Sequence, residues 1–290
     1  MQKGTVYLSF WMWVIGQMEF ALDHCQEGCT ASNCTSEAAL LWDEAVAYYS
    51  GSLVGTSGLG AGVLLYTQAD KRCANFATCG AGLNELTGIS AVNSEIMPLF
   101  QQGQQQLLAG QCVATIATKE RIVQLMTVPL VQGVLRYAYT LSAGTDTGEG
   151  PQAEGGTIAA GLLPMVYACD KNDAATVYEN MKLGGTQVPD FAAVKGALER
   201  QYSCLGITCE DVGGLYDTLN QGYFNGAEPC GSKGARSRTN ANGVNVGLAV
   251  GLSIGGLVTV LLIVFASSYL GPKAAPAPVT EVKSEVQELS

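Results

Sequence analysis

Residues 113–141 read VATIATKERIVQLMTVPLVQGVLRYAYTL. This apolar pattern outruns an ordinary strand of about 3–10 residues. It also shows no period-two alternation. It therefore predicts a long helix, with Pro129 expected to kink it or split it. Outward from this stretch, helices are predicted over Ser36–Tyr49, Thr87–Leu108, Gly156–Cys169, Asp173–Lys182, Asp190–Leu205 and Glu210–Tyr223. The first starts at a cap-like Thr35-Ser36-Glu37 and stops at Ser50-Gly51. Asp173 and Asp190 sit where a helix N-terminus favours an acid. Runs of β-branched residues are scarce, so the fold class is all-α.

The chain has 290 residues, 48% of them apolar and 14% charged, a balance opposite to that of a disordered protein. Its net charge of −10 argues against a nucleic-acid partner, which would meet a basic face. One histidine excludes sites built on several imidazoles. The apolar excess is concentrated in Val244–Leu270, VNVGLAVGLSIGGLVTVLLIVFASSYL, which carries no charge and is long enough for a transmembrane helix. Within it and just before it, Gly243, Gly247, Gly251 and Gly255 recur every fourth residue, a small-residue face suited to a homodimer in the membrane.

All ten cysteines precede that span: Cys25, Cys29, Cys34, Cys73, Cys79, Cys112, Cys169, Cys204, Cys209 and Cys230. No C-x-x-C pair occurs, so a disulfide framework in an oxidising compartment is the natural reading. Pairing is not fixed by spacing, although short loops such as Cys73–Cys79 and Cys204–Cys209 fit. Asn33-Cys34-Thr35 is a glycosylation sequon. Lys233, Arg236 and Arg238 oppose this orientation under the positive-inside rule, but the cysteines carry more weight for a large translocated domain. The expected arrangement is a single-pass plasma-membrane protein with its N-terminal domain outside. Residues 1–19 read either as a signal peptide or as the first domain helix, since Tyr7, Trp11, Val14 and Met18 keep helical spacing. Residues 20–231 form a disulfide-stabilised helical ectodomain, 232–243 a polar linker, and 271–290 a Pro- and Ala-rich disordered tail.

Enzyme chemistry finds little support. His24 is the only imidazole and lies beside Cys25, and the glycine-rich run Thr56–Gly62 lacks a phosphate-loop Lys. Oxygen-rich clusters do occur. In Leu41-Trp-Asp-Glu-Ala-Val-Ala-Tyr-Tyr-Ser, Glu44 and Tyr48 share a helix face and Asp43 adjoins them. Arg136-Tyr-Ala-Tyr139 pairs a guanidinium, able to hold an oxyanion, with a phenol. Tyr167-Ala-Cys-Asp170 places a phenol and a carboxylate around a cysteine. Carboxylates and phenols suit a hard cation, but the same residues also read as packed core, solvated faces and a helix end.

Several separated blocks carry a family resemblance. They are Leu41-WDEAVAYYSGSLVG55, Leu64-LYTQADKRCANFATCG80, Pro129-LVQGVLRYAYTL141, Leu163-PMVYACD170, Phe191-AAVKGALERQY202, Leu205-GITCEDVGGLYD217 and Gly226-AEPCG231. Together they resemble the low-iron-inducible periplasmic (Fe-assimilating) protein family of algae, whose membrane-anchored relatives include the phytotransferrins of diatoms. The resemblance covers residues 20–231. It implies surface capture of Fe³⁺ for iron uptake, with carbonate as a synergistic anion; the missing bases and histidines separately argue against an enzyme. Members often carry more than one copy of the domain, so this chain, with one, reads as a piece of a longer protein. Within the matching blocks the metal candidates are Asp43, Glu44, Tyr48, Tyr139, Tyr167 and Asp170, and Arg136 is the anion candidate. The alternative is a structural or adhesive surface module without a metal site.

Overall fold

The computed structural model describes residues 4, 6–27, 32–51, 62–80, 86–185 and 187–230, without the side chains of 32–35. A π-helical turn, Val6–Phe10, leads into α1 (Trp11–Gln26). There follow α2 (Ser32–Ser50), α3 (Leu65–Phe76), α4 (Ala91–Leu108), α5 (Cys112–Ser142), α6 (Glu149–Cys169), α7 (Lys171–Met181), α8 (Phe191–Leu205) and α9 (Cys209–Val212). A minimal antiparallel ladder, β1 (Tyr216–Asp217) with β2 (Gly222–Tyr223), closes the described chain. The described residues are thus mostly helical, and they lie within one unit, Met1–Ala235.

Helix α5 is the hub, in contact with α1, α3, α4, α6, α7, α8 and α9. Its 31 residues run on through Pro129, which does not split it. Val128, Leu130 and Val131 on either side are fully buried, so packing from the neighbouring helices outweighs the hydrogen bond that proline cannot donate. Small residues set the crossing with α6. A Cβ at Gly133 would stand 3.1 Å from Ile158, and one at Gly155 would stand 2.8 Å from Tyr137. Trp11, Val14 and Met18 on one face of α1 are buried, and α1 packs closely on α2. In turn α2 meets α4 where Trp42 lies over Gly103 and donates its indole N–H to Phe100 O at 2.8 Å.

The predicted helix over Glu210–Tyr223 is corrected: it ends at Val212. Gly213 has φ +68°, and a Cβ there would lie 2.5 Å from Phe76 O. Both the conformation and the close approach require glycine. The chain then turns into the β1–β2 hairpin. Conversely, α3 forms where no helix was predicted.

Four disulfides tie the elements together: Cys25–Cys112, Cys73–Cys79, Cys169–Cys204 and Cys209–Cys230. The expected Cys73–Cys79 loop is present. The expected Cys204–Cys209 loop is not. Cys204 lies on α8 and reaches the end of α6, whereas Cys209 starts α9 beyond the left-handed C-cap Gly206 and reaches Cys230. Cys29 and the side chains of Cys34 and Asn33 lie outside the described residues, as do Val244–Leu270 and the glycines 243, 247, 251 and 255. Among the described residues no helix is long and apolar enough to cross a membrane.

Candidate metal centre

Tyr49 at the end of α2, Tyr66 and Asp70 on α3, and Ser90 and Asn93 at the start of α4 converge in the interior. Tyr66 and Asp70 are four residues apart and so share a helix face. The Asp70 carboxyl is buried, 6% exposed, and only one of its oxygens is satisfied within the protein. Oδ1 accepts the Ser90 backbone N–H at 2.8 Å and the Asn93 Nδ2 at 2.7 Å. Oδ2 has no hydrogen-bond partner. Asn93, fully buried, also donates Nδ2 to Tyr66 O at 2.9 Å and accepts the Tyr49 hydroxyl at 2.5 Å. The two tyrosine rings meet edge to face, centroids 6.3 Å apart.

The electrostatics follow from burial. Desolvation, and then the Asp70 charge, pushes the Tyr49 and Tyr66 phenols above their ordinary value. Desolvation also raises the Asp70 carboxyl, against the lowering effect of the Ser90 and Asn93 hydrogen bonds. An unpartnered buried carboxylate oxygen is costly. A cation among these oxygens would reverse each shift, since a bound ion is the largest local charge in its site. Carboxylate and phenol are hard donors, suited to a hard ion. No three His, Cys, Asp or Glu side chains gather as a metal-holding group among the described residues, so the phenols would have to complete the set.

Two residues beyond Asp70, Arg72 is 3% exposed. Its Nε lacks a partner, its Nη1 reaches only Asn75 Oδ1 at 3.4 Å, and it has no carboxylate partner among the described residues. Its guanidinium carbon and that of Arg136 both lie over the Tyr137 ring, 5.9 and 5.2 Å from the centroid. Arg136 also lines a polar cavity of about 250 Å³ with Thr140, Asp146 and Glu154.

The residues singled out from the sequence fall in three places. Asp43 and Glu44 are exposed on α2, and Asp43 accepts from Gln104 Nε2 at 2.6 Å. Tyr48 is half-buried against Phe10 and Trp13. Tyr139 packs edge-on against Phe191, centroids 5.1 Å apart, and also meets Phe224. Tyr167 is exposed, with Lys171 Nζ over its ring, and Asp170 caps α7 by accepting from the Asn172 and Asp173 amides. Among the described residues no hydrogen bond, ion pair or ring contact joins these three groups to one another. Sequence reasoning missed Tyr66, Asp70, Arg72 and Asn93. The available signal was the Tyr66–Asp70 spacing, which pairs a phenol and a carboxylate on one helix face.

Compared with protein-family models, curated proteins and solved structures, the chain matches none.

Proposed function

We propose that this chain is a cell-surface ferric-iron-binding protein for iron uptake in an alga, anchored by Val244–Leu270, with carbonate as accompanying anion. The observation that carries the reading is the buried, unpartnered Asp70 Oδ2, on a carboxylate whose charge acts on both the Tyr49 and Tyr66 phenols. The ion sits among these three side chains rather than at Asp43, Glu44, Tyr48, Tyr139, Tyr167 or Asp170. Iron is the cargo, and Fe³⁺ at this site replaces the proton on each phenol. Arg72, a buried guanidinium without a carboxylate partner among the described residues, is matched by a planar oxyanion on the Tyr137 side of α3, away from Asp70. Arg136 is the second candidate, over the same aromatic ring. The resemblance to the low-iron-inducible periplasmic proteins supports the same cargo, and the disulfides support an oxidising compartment.

The test is a titration of the purified full chain with ferric nitrilotriacetate, with and without bicarbonate. One equivalent of Fe³⁺ and a visible phenolate-to-iron band are expected, both strengthened by bicarbonate. No stoichiometric binding under either condition leaves the structural or adhesive module as the better reading.

A further inference from the structure

The geometry points to the Cys73–Cys79 disulfide as a positioning device for the Asp70 carboxylate. This rests on the iron reading above and adds to it the element that sets the donor geometry. Cys73 lies one turn beyond Asp70 on α3, and its disulfide closes over a separation of only six residues. A loop so short contributes less through chain entropy than the 35- or 87-residue separations of Cys169–Cys204 and Cys25–Cys112. Its position is informative instead. Cys79 forms an isolated antiparallel bridge with Ser90. On either side of it, Ala91 N donates to Thr78 O at 3.0 Å and Gly80 N to Ile89 O at 2.9 Å.

The bridge fixes Ser90, and Ser90 does two things. Its backbone N–H donates to Asp70 Oδ1, and its hydroxyl accepts the Asn93 N–H at 3.1 Å, capping α4. Asn93 then binds the same Asp70 oxygen and the Tyr49 hydroxyl. A closed circuit results: Asp70, Cys73, the disulfide, Cys79, Ser90 and back to Asp70. Cys73, Cys79, Ser90 and Asn93 are all at most 2% exposed. Both donors to Asp70 lie on Oδ1, so the circuit orients the carboxyl and leaves Oδ2 for a ligand.

The test uses the full chain and three variants. Cys73→Ser/Cys79→Ser opens the circuit at the disulfide. Ser90→Pro removes the N–H while keeping the backbone, because Ser90 has φ −62°, close to proline's own value. Ser90→Ala keeps the N–H and removes the hydroxyl, which caps α4 and also acts on the Asp70 carboxyl. Ferric affinity is expected to fall about tenfold or more in the first two, as for loss of groups that orient metal ligands, with a shifted phenolate band. Ser90→Ala should lose less affinity than Ser90→Pro, since the amide that donates to Asp70 remains. A Cys169→Ser/Cys204→Ser control should keep both affinity and band. In metal-free protein, hydrogen exchange at the Ser90 amide should rise in the Cys73/Cys79 variant and not in the control. Unchanged affinity, band and Ser90 exchange in the Cys73/Cys79 variant overturn the proposal. If wild type binds no iron, the iron reading fails by itself, and the Ser90 exchange result still decides whether the disulfide holds the circuit.

Discussion

Asn93 Nδ2 lies 2.7 Å from Asp70 Oδ1, and this pair joins α3 to α4 at the centre of the buried polar cluster. The same amide group serves Tyr66 O and the Tyr49 hydroxyl. Replacing Asn93 by alanine strands the buried Tyr49 hydroxyl, at a cost of about 1–3 kcal/mol, and takes one of the two donors from Asp70 Oδ1. The expected result for Asn93→Ala is a loss of about 1–3 kcal/mol in urea unfolding. A midpoint equal to that of wild type contradicts the network as described.

Gly103 should tolerate no side chain. A Cβ there would stand 2.1 Å from Trp42 Cζ2, and Trp42 is fully buried and held by its bond to Phe100 O. Overpacking of this kind costs about 1–3 kcal/mol. Gly103→Ala should lower the melting temperature despite alanine's better helix propensity. An unchanged or raised value shows that Trp42 can move aside.

The Asp173–Arg200 pair predicts an acid-sensitive increment of stability. Hydrogen bonds from Arg200, and then Gln201, hold the Asp173 carboxyl below the usual carboxylate range. A group depressed in the folded state stabilises above its unfolded pKa of about 3.9. That contribution is lost as pH falls through the folded value. The stability gap between wild type and Asp173→Asn should therefore be full at pH 7 and shrink below about pH 4. A gap independent of pH excludes the ion pair as its source.

Disulfide mapping is equally direct. Proteolysis without reduction should release peptides linking Cys169 to Cys204 and Cys209 to Cys230. A Cys204–Cys209 peptide in their place contradicts the packing of α8 on α6.

Much of the fold is legible in the sequence. The long pattern of α5, the capping acid Asp190 and the stop at Ser50-Gly51 all use local signals that the folded chain keeps. What escapes is α3. Thr67, Gln68, Asp70 and Arg72 are buried there together with the apolar Leu65, Ala69, Cys73 and Phe76, so α3 is enclosed on most sides and residues that a periodicity argument takes for solvated also point inward. The functional cluster is hidden for the same reason: buried polar residues break the apolar rhythm that marks a helix. The Glu210–Tyr223 error has another origin, because the turn at Gly213 answers to Phe76 O, which is distant in sequence. Tyr48 and Tyr49 are neighbours on α2, yet one lies against surface aromatics and the other against Asn93. Only the partner helices distinguish them.

That distinction gives the most direct test of the iron site. Visible spectra of the full chain titrated with ferric nitrilotriacetate should show a phenolate-to-iron band that is weakened and shifted in Tyr49→Phe and in Tyr66→Phe. The Tyr48→Phe variant should keep the wild-type band. A band lost in Tyr48→Phe and untouched in both Tyr49→Phe and Tyr66→Phe would contradict the site.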